Sequence, residues 1–301
     1  MKERSTIRDV AQKANVSIAT VSRYLNNAAR VSPDAARRIR DAISVTDYTP
    51  NLAARMLKEQ DNHVILLVVP DICNPFYSTL AKAAQKLARE RDYYFMLFDS
   101  NEDTDEEIAA IRFAQQMQAS GILFASIDIR PKVVAALKDC QMPIVGLNAY
   151  EEHFLHDVVH VHKSGGTYLA VKHLLDLGHT RIAYAGGTPG SMIAQSRKQG
   201  YETAMKEVGL ACSDSFVFEM GFSQEDGQKA GRYFSTLRPL PTAICCANDQ
   251  IALGLIDALS DSGLSVPGDI SVTGMDNIPY GRMSTPSLTT VTNDSAAFAQ
   301  M

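Results

Sequence analysis

TIRDVAQKANVSIATVSRYLNN, residues 6–27, is the stretch that decides the reading of this chain. It predicts two short helices joined by a tight turn, each opening on a capping hydroxyl. Thr6 with Asp9 three residues on has the form of a capping box, and Ser17 stands where a second helix must begin. Val10, Ala11, Ala14, Val16, Val21 and Leu25 make an apolar seam at helical spacing, and small Ala11 allows close helix approach. The second helix then turns Ile18, Ala19, Ser22 and Arg23 outward. That short face of methyl and polar groups suits base edges in a DNA major groove. An ordinary helical hairpin would share the pattern, so the neighbouring segments must discriminate.

Ser32-Pro33 is an N-cap followed by proline at the first helical position. It predicts a third helix with Ala36, Ile39 and Ile43 inward and Arg37, Arg38 and Arg40 on its other faces. After Tyr48-Thr49-Pro50, the segment NLAARMLK reads as a fourth, very short helix capped by Asn51. A helix of about eight residues is marginal alone in water. It should fold only against partners, here a second copy of itself and DNA.

Charge is placed unevenly. Residues 1–62 hold 11 Lys/Arg and 7 Asp/Glu, net +4, and the remainder holds 18 and 27, net −9, which together make the −5 of the 301-residue chain. A basic head on an acidic body suits phosphate binding by the head. MKERSTIRD lacks the apolar core of a signal peptide and no stretch reaches membrane-spanning length, so a cytoplasmic protein with no membrane partner is expected. Five cysteines without CxxC spacing predict reduced thiols, with Cys245-Cys246 inside a buried strand.

From His63 onward the pattern alternates. HVILLVV, YYFMLF, GILFA and PIVGL are apolar runs separated by helical stretches near 76–91, 104–119 and 130–140. HDVVHVH, RIAYAG, TAICCA and ISVTGM follow, with helices near 164–177, 193–208, 224–237 and 249–262. Alternating βα order predicts an α/β body: two parallel sheets, each covered by helices on both faces. Two halves leave a cleft, and open α/β sheets bind ligands beyond the carboxyl ends of their strands. The positions just after each strand nominate the lining: 71–77, 99–101, Asn148, 186–197, Phe222, Asn248-Asp249 and Asp276-Asn277. Phe76 and Phe222 could stack on a sugar or base, while Arg, Asp and Asn groups fix hydroxyls. Asp249 could instead cap the helix at 249–262, and Asp276 could be a turn residue.

TIRDVAQKANVS, TVSRYLN, Tyr48-Thr49-Pro50-Asn51, LAARMLK, VPDICNPFY, GHTRIAYAGG, ANDQIALG and PGDISVTGMDN together resemble the lac repressor (LacI/GalR) family. The resemblance runs from residue 5 to the end. It implies a helix-turn-helix head at 1–50, a hinge helix and linker at 51–62, and a two-subdomain body like the periplasmic binding proteins. The body's N-subdomain would be 63–163 with 291–301 and its C-subdomain 164–290. The family's hinge leucine, which wedges into the minor groove, corresponds to Leu57. By the same resemblance Phe76 or Tyr77, Arg197, Phe222, Asn248 and Asp276 fall at effector-contacting positions. The expected DNA contacts are Thr6, Ser17, Ile18, Ala19, Thr20, Ser22, Arg23, Asn26, Asn51, Ala54, Leu57 and Lys58. The expected effector contacts are Phe76, Tyr77, Asn148, His162, Arg197, Phe222, Asn248 and Asp276.

Two features depart from the family pattern. His162-Lys163 stands where relatives carry an Asp-Asn pair, and relatives continue past Met301. A zinc or copper site among His153, His156, His160 and His162 is the sharper reading of that cluster, but the first two lie in a polar loop and no cysteine or carboxylate pattern completes a tetrahedron, so no metal is expected. A cleft-mouth His162 beside Lys163 gives weight to an acidic or phosphorylated sugar, whereas VPDICNPFY is similar to nucleoside-responsive members.

These features predict a dimeric, effector-responsive repressor of catabolic genes on a two-fold operator, with a sugar, sugar acid, sugar phosphate or nucleoside as ligand and no cofactor. Relatives use the ligand as inducer or as corepressor, and the residues do not give the sign. A periplasmic receptor would lack residues 1–58. An enzyme would need a nucleophile or phosphate motif, and GxSxG, GxxxxGK[ST] and a post-strand GxGxxG are all absent.

Overall fold

The structure is a computed structural model that describes residues 5–26, 30–49, 62–147, 157–159 and 165–293. The chain forms two compact units, Met1–Asn62 and His63–Met301.

The first unit contains α1 (Ile7–Ala14), α2 (Ile18–Asn26) and α3 (Pro33–Thr46). Thr6 caps α1 through a reciprocal capping box with Asp9, and Ser32 caps α3 ahead of Pro33. Val10, Ala11, Ala14, Val21, Ile39 and Ala42 close a small core. On α3 the buried alanines are Ala35 and Ala42 rather than the expected Ala36, which is half-buried. Arg38 donates from Nη1 to the carbonyls of Ala14 (3.2 Å) and Asn15 (3.4 Å). A cation at the C-terminal carbonyls of α1 complements the helix dipole and ties α3 to it.

The second unit holds two five-stranded sheets. The first comprises β1 (Val64–Val69), β2 (Tyr94–Asp99), β3 (Gly121–Ala125), β4 (Ile144–Leu147) and β5 (Asp157–Val159), in the order β2-β1-β3-β4-β5. The second comprises β6 (Ile182–Gly186), β7 (Val217–Glu219), β8 (Ala243–Cys246), β9 (Ser271–Asp276) and β10 (Thr289–Thr292), in the order β7-β6-β8-β9-β10. Every pairing is parallel. Counted from its own first strand, each sheet repeats one order, 2-1-3-4-5, so the body is one topology used twice. The crossovers are α4 (Pro75–Glu90), α5 (Thr104–Gln116) and α6 (Pro131–Lys138) in the first half. In the second they are α8 (Met192–Glu207), α9 (Gln224–Thr236), α10 (Asp249–Asp261) and the short α11 (Pro279–Met283); α7 (Gly165–Asp176) precedes β6.

Burial on both faces explains the continuous apolar runs. VILLVV is nearly all buried, as are the neighbours Cys245 and Cys246, although successive strand side chains point to opposite faces. Both thiols are free, and burial pushes Cys245 up to about 12. Two strands are missing from the expected set. β7 and β10 are edge strands of three and four residues, only partly buried, and neither needs an apolar run. β10 lies in the second sheet, so residues 291–292 belong with that half, not with the first-half segment expected from 291 onward.

Candidate effector cleft and DNA-reading helix

The first half presents an aromatic wall. After β1, Asp71 Oδ1 accepts the Cys73 N–H at 2.7 Å, turning the chain into α4. Asn74 caps that helix by accepting the Phe76 N–H at 3.0 Å, and Pro75 fixes its first residue. Phe76 and Tyr77 therefore share the first turn, their rings edge-on at 5.1 Å. Asp99, expected among the lining, instead accepts N–H bonds from Ile72 and Asn101, stitching two loops together outside the cleft.

The second half presents a cation and its partners. Ser191 caps α8 by accepting the Ala194 N–H at 3.2 Å. Arg197 on that helix donates from Nη1 to the Ala247 carbonyl at 2.6 Å, and its Nη2 lies 3.8 Å from Asp276 Oδ1. The same guanidinium lies 5.4 Å from the Phe222 ring centroid, within cation–π range. Phe222 fits because residue 187 is glycine: a Cβ there would stand 2.0 Å from the ring. Asn248, not Asp249, caps α10. Its Oδ1 accepts the Ile251 N–H at 2.8 Å and its Nδ2 donates to the Phe222 carbonyl at 2.9 Å. One N–H and one lone pair of that amide remain for a ligand.

Asp276 ends β9 with φ at 113°, and Asn277 follows with φ at 55°. Such backbone is rare for non-glycine residues and accumulates at binding sites. Burial raises the Asp276 carboxyl above its ordinary range, while Arg197 and the 3.3 Å bond from Asn293 Nδ2 pull it back. Burial likewise raises the Tyr77 phenol. Glu102 is raised by burial and by the negative charges of Asp71 and Asp226.

These groups surround one cleft, about 840 Å³ of empty space when the part open to solvent is included. It opens at the carboxyl ends of both sheets, beside the loops after β1 and β3 in one half and after β6 and β8 in the other. In this strand order that is the topological switch point of each sheet. Phe76, Tyr77, Arg197, Phe222, Asn248 and Asp276 all line it. Asn148 and His162 lie outside the described residues, as do His153, His156 and His160. Asp249 and Asn277 do not line the cleft. Glu102, Ile127, Ser223, Gln250, Met275 and Asn293 do, without having been expected. Ile127 and Ser223 stand one residue beyond positions a strand-end reading would choose. Asn293 follows an edge strand that has no apolar signal.

In the head, Ser17 Oγ accepts the Thr20 N–H at 3.1 Å and bonds the Thr20 hydroxyl at 2.8 Å, so both groups also serve the cap of α2. Thr6 donates its N–H and hydroxyl to Asp9, which these bonds hold below the usual carboxylate range. Ser17, Ile18, Ala19 and Arg23 are exposed, Ile18 at 45%. Thr20 and Ser22 are half-buried beside them, and Asn26 closes α2. Asn51, Ala54, Leu57 and Lys58 lie outside the described residues.

Known proteins share both units. Residues 6–51 match the family described as bacterial regulatory proteins, lacI family, and residues 171–301 match the periplasmic binding protein-like domain. The HTH-type transcriptional regulator DegA of Bacillus subtilis is 35% identical over 96% of this chain and 86% of its own length. The chain belongs to the LacI family. A second LacI-family relative, catabolite control protein A of Priestia megaterium, is 33% identical over 95% of this chain and 86% of its own. Among solved structures, the lac repressor dimer bound to operator and the anti-inducer ONPF superposes with a TM-score of 0.89 at 26% identity. It covers 99% of this chain and 90% of that one. The regulator CelR in complex with cellobiose gives 0.73 at 25% identity, with the same coverage. The protein is thus a LacI-family transcription regulator with a DNA-binding helix-turn-helix and an effector-binding body.

Proposed function

We propose that this LacI-family chain represses catabolic genes as a homodimer on a two-fold operator, and that a small polyhydroxyl ligand in the body cleft controls it. The observation that carries the reading is one cleft lined by side chains at corresponding places in both sheets. A ligand that touches both halves favours one angle between them, and so shifts a population of body states. One head can read only half a site, so a two-fold operator follows from a two-fold protein. Leu57 from each hinge would wedge at the operator centre, where unstacking costs a few kcal/mol and added contacts offset it.

Charge narrows the ligand. Asp71, Glu102 and Asp276 face the cleft against Arg197, which already engages Asp276, Phe222 and the Ala247 carbonyl. That balance favours a neutral sugar or nucleoside over the acidic or phosphorylated sugar suggested by His162-Lys163. Phe76, Tyr77 and Phe222 offer faces for a ring, and the amide of Asn248 a donor and an acceptor. We assign no enzymatic role; among the described residues no histidine, cysteine or lysine lines the cleft. None of the described helices is long and apolar enough to cross a membrane; a cytoplasmic site of action follows from the proposed DNA target.

A thermal-shift screen of neutral sugars, sugar phosphates, nucleosides and purines tests this. A binder at 100 times its Kd stabilises by about 2.7 kcal/mol. A neutral sugar or nucleoside should raise the melting temperature and alter operator affinity. A response confined to phosphorylated sugars would overturn the charge argument.

A further inference from the structure

Asp249, the first residue of α10, is fully buried and lies outside the cleft lining. Its Oδ2 accepts the Ile278 N–H at 2.8 Å and its Oδ1 accepts the Thr290 hydroxyl at 2.6 Å. The Thr290 oxygen in turn accepts the Asn277 N–H at 3.3 Å. The two backbone N–H groups that follow Asp276 are thus held by one carboxylate, directly or through a single hydroxyl, and so is β10. The start of α10 is an electrostatically favourable place for that anion. β9 makes room for it with glycine, since a Cβ on Gly274 would stand 2.2 Å from Asp249 Oδ1.

What this carboxylate holds is the least comfortable backbone of the cleft. Asp276 and Asn277 are consecutive non-glycine residues with φ at 113° and 55°. L residues keep such a course only where their surroundings impose it. The same turn sets the Asp276 carboxylate beside Arg197, and β10 leads to Asn293, which donates to the same oxygen of Asp276 that Arg197 approaches.

We infer that Asp249 is a positioning residue of the effector cleft: by anchoring residues 277–278 and β10, it imposes the turn that aims Asp276 at Arg197. The inference rests on the proposed effector role of Arg197 and Asp276, but its test needs no effector.

The chain contains no tryptophan, so Phe222→Trp in the full chain gives a single emission reporter beneath the Arg197 guanidinium. Asp249→Ala, Asp249→Asn and Thr290→Val are compared in that background, with circular dichroism to establish folding. Asparagine can still accept from Ile278 and donate to Thr290; alanine can do neither. Asp249→Ala should shift the emission and change acrylamide quenching about twofold, Thr290→Val should move both the same way by less, and Asp249→Asn should match the parent. A folded Asp249→Ala protein with the parent's emission and quenching would overturn the inference, as would Asp249→Asn shifting as far as alanine. If the alanine variant does not fold, Thr290→Val and Thr290→Ser decide: a shift in valine alone supports the pin, and no shift in either refutes it. Failure of the effector reading would appear elsewhere, as Arg197→Ala leaving the response to a screened ligand intact.

Discussion

Asn248 donates from Nδ2 to the Phe222 carbonyl across 2.9 Å, joining the loop ahead of α10 to the loop ahead of α9. That bond is possible only because the two helices nearly touch. A Cβ at Gly227 would stand 2.1 Å from the Ile251 carbonyl oxygen, one at Gly231 2.8 Å from that of Leu255, and one at Gly254 1.9 Å from that of Gln224. Glycine spacing remote from the cleft thereby sets the separation of two of its walls.

Gly254→Ala should therefore damage both stability and ligand binding. The obstructing atom is backbone and cannot rotate away, so the cost belongs near the top of the overpacking range, about 3 kcal/mol. Thermal unfolding should fall by roughly 2–4 °C per kcal/mol for a body of this size. Effector affinity should drop with it, because the Phe222 and Asn248 loops separate. An unchanged melting temperature would show that α9 and α10 part at no cost and that their close approach positions nothing.

Arg23 is exposed on α2 beside Ile18 and Ala19, with the reach to bond a guanine edge. Arg23→Ala should cost on the order of 1–3 kcal/mol of operator affinity and relax preference at one base pair in each half-site. Selection of binding sites from random DNA measures this. If affinity falls with the preference intact, Arg23 holds phosphate and does not read sequence.

The sequence carried the body's order well, because a strand buried on both faces must be continuously apolar. HVILLVV and TAICCA can be nothing else in an alternating chain. It carried the cleft through strand ends only in part: Asp276 closes a strand, whereas Arg197, in the second turn of α8, and Phe222, after a strand with no apolar run, stand out through the family resemblance. Asn293 and Glu102 were not legible, since one follows a half-exposed edge strand and the other looks like an acidic helix start. Asp249 was read as a cap because acidic residues favour helix starts. The preceding Asn248 makes the cap, leaving Asp249 free to reach Ile278 and Thr290. Only three-dimensional placement could separate those two roles.

Arg197→Ala and Asp276→Asn should leave operator binding near wild type and abolish the effector response, since the head folds on its own core. Removing Arg197 also leaves a buried carboxylate without its cation, and the Asp276 pKa should rise further above its ordinary value. Anisotropy of labelled operator, titrated with a ligand from the screen, reads the first effect; carboxyl carbon NMR shifts read the second. Full responsiveness in both variants would remove these residues from the ligand site.

Glu107 on α5 gives the body a measurable pH dependence. It is 3% exposed, and burial pushes its carboxyl up to about 7, with Asp128 and Asp103 adding to the rise and Ser126 and Arg130 opposing it. A folded-state pKa above the unfolded one means the native state holds a proton that the unfolded chain has released. The resulting stabilisation is complete below the ordinary glutamate range and disappears as pH climbs through about 7. Wild type should thus gain stability on acidification from pH about 8 to about 5.5, and Glu107→Gln should lose much of that gain. With roughly 1.4 kcal/mol per pKa unit, the difference between the two proteins should reach on the order of 2–3 kcal/mol, or several degrees in melting temperature. Asp249, also raised to about 7 by burial, contributes a slope of the same sign that Glu107→Gln leaves in place. Asp9, Asp226 and Asp269 are held low and act only in more acidic solution. Parallel melting-temperature profiles for wild type and Glu107→Gln across this window would mean that Glu107 is ionised in the folded body and that its burial is relieved by groups other than those named.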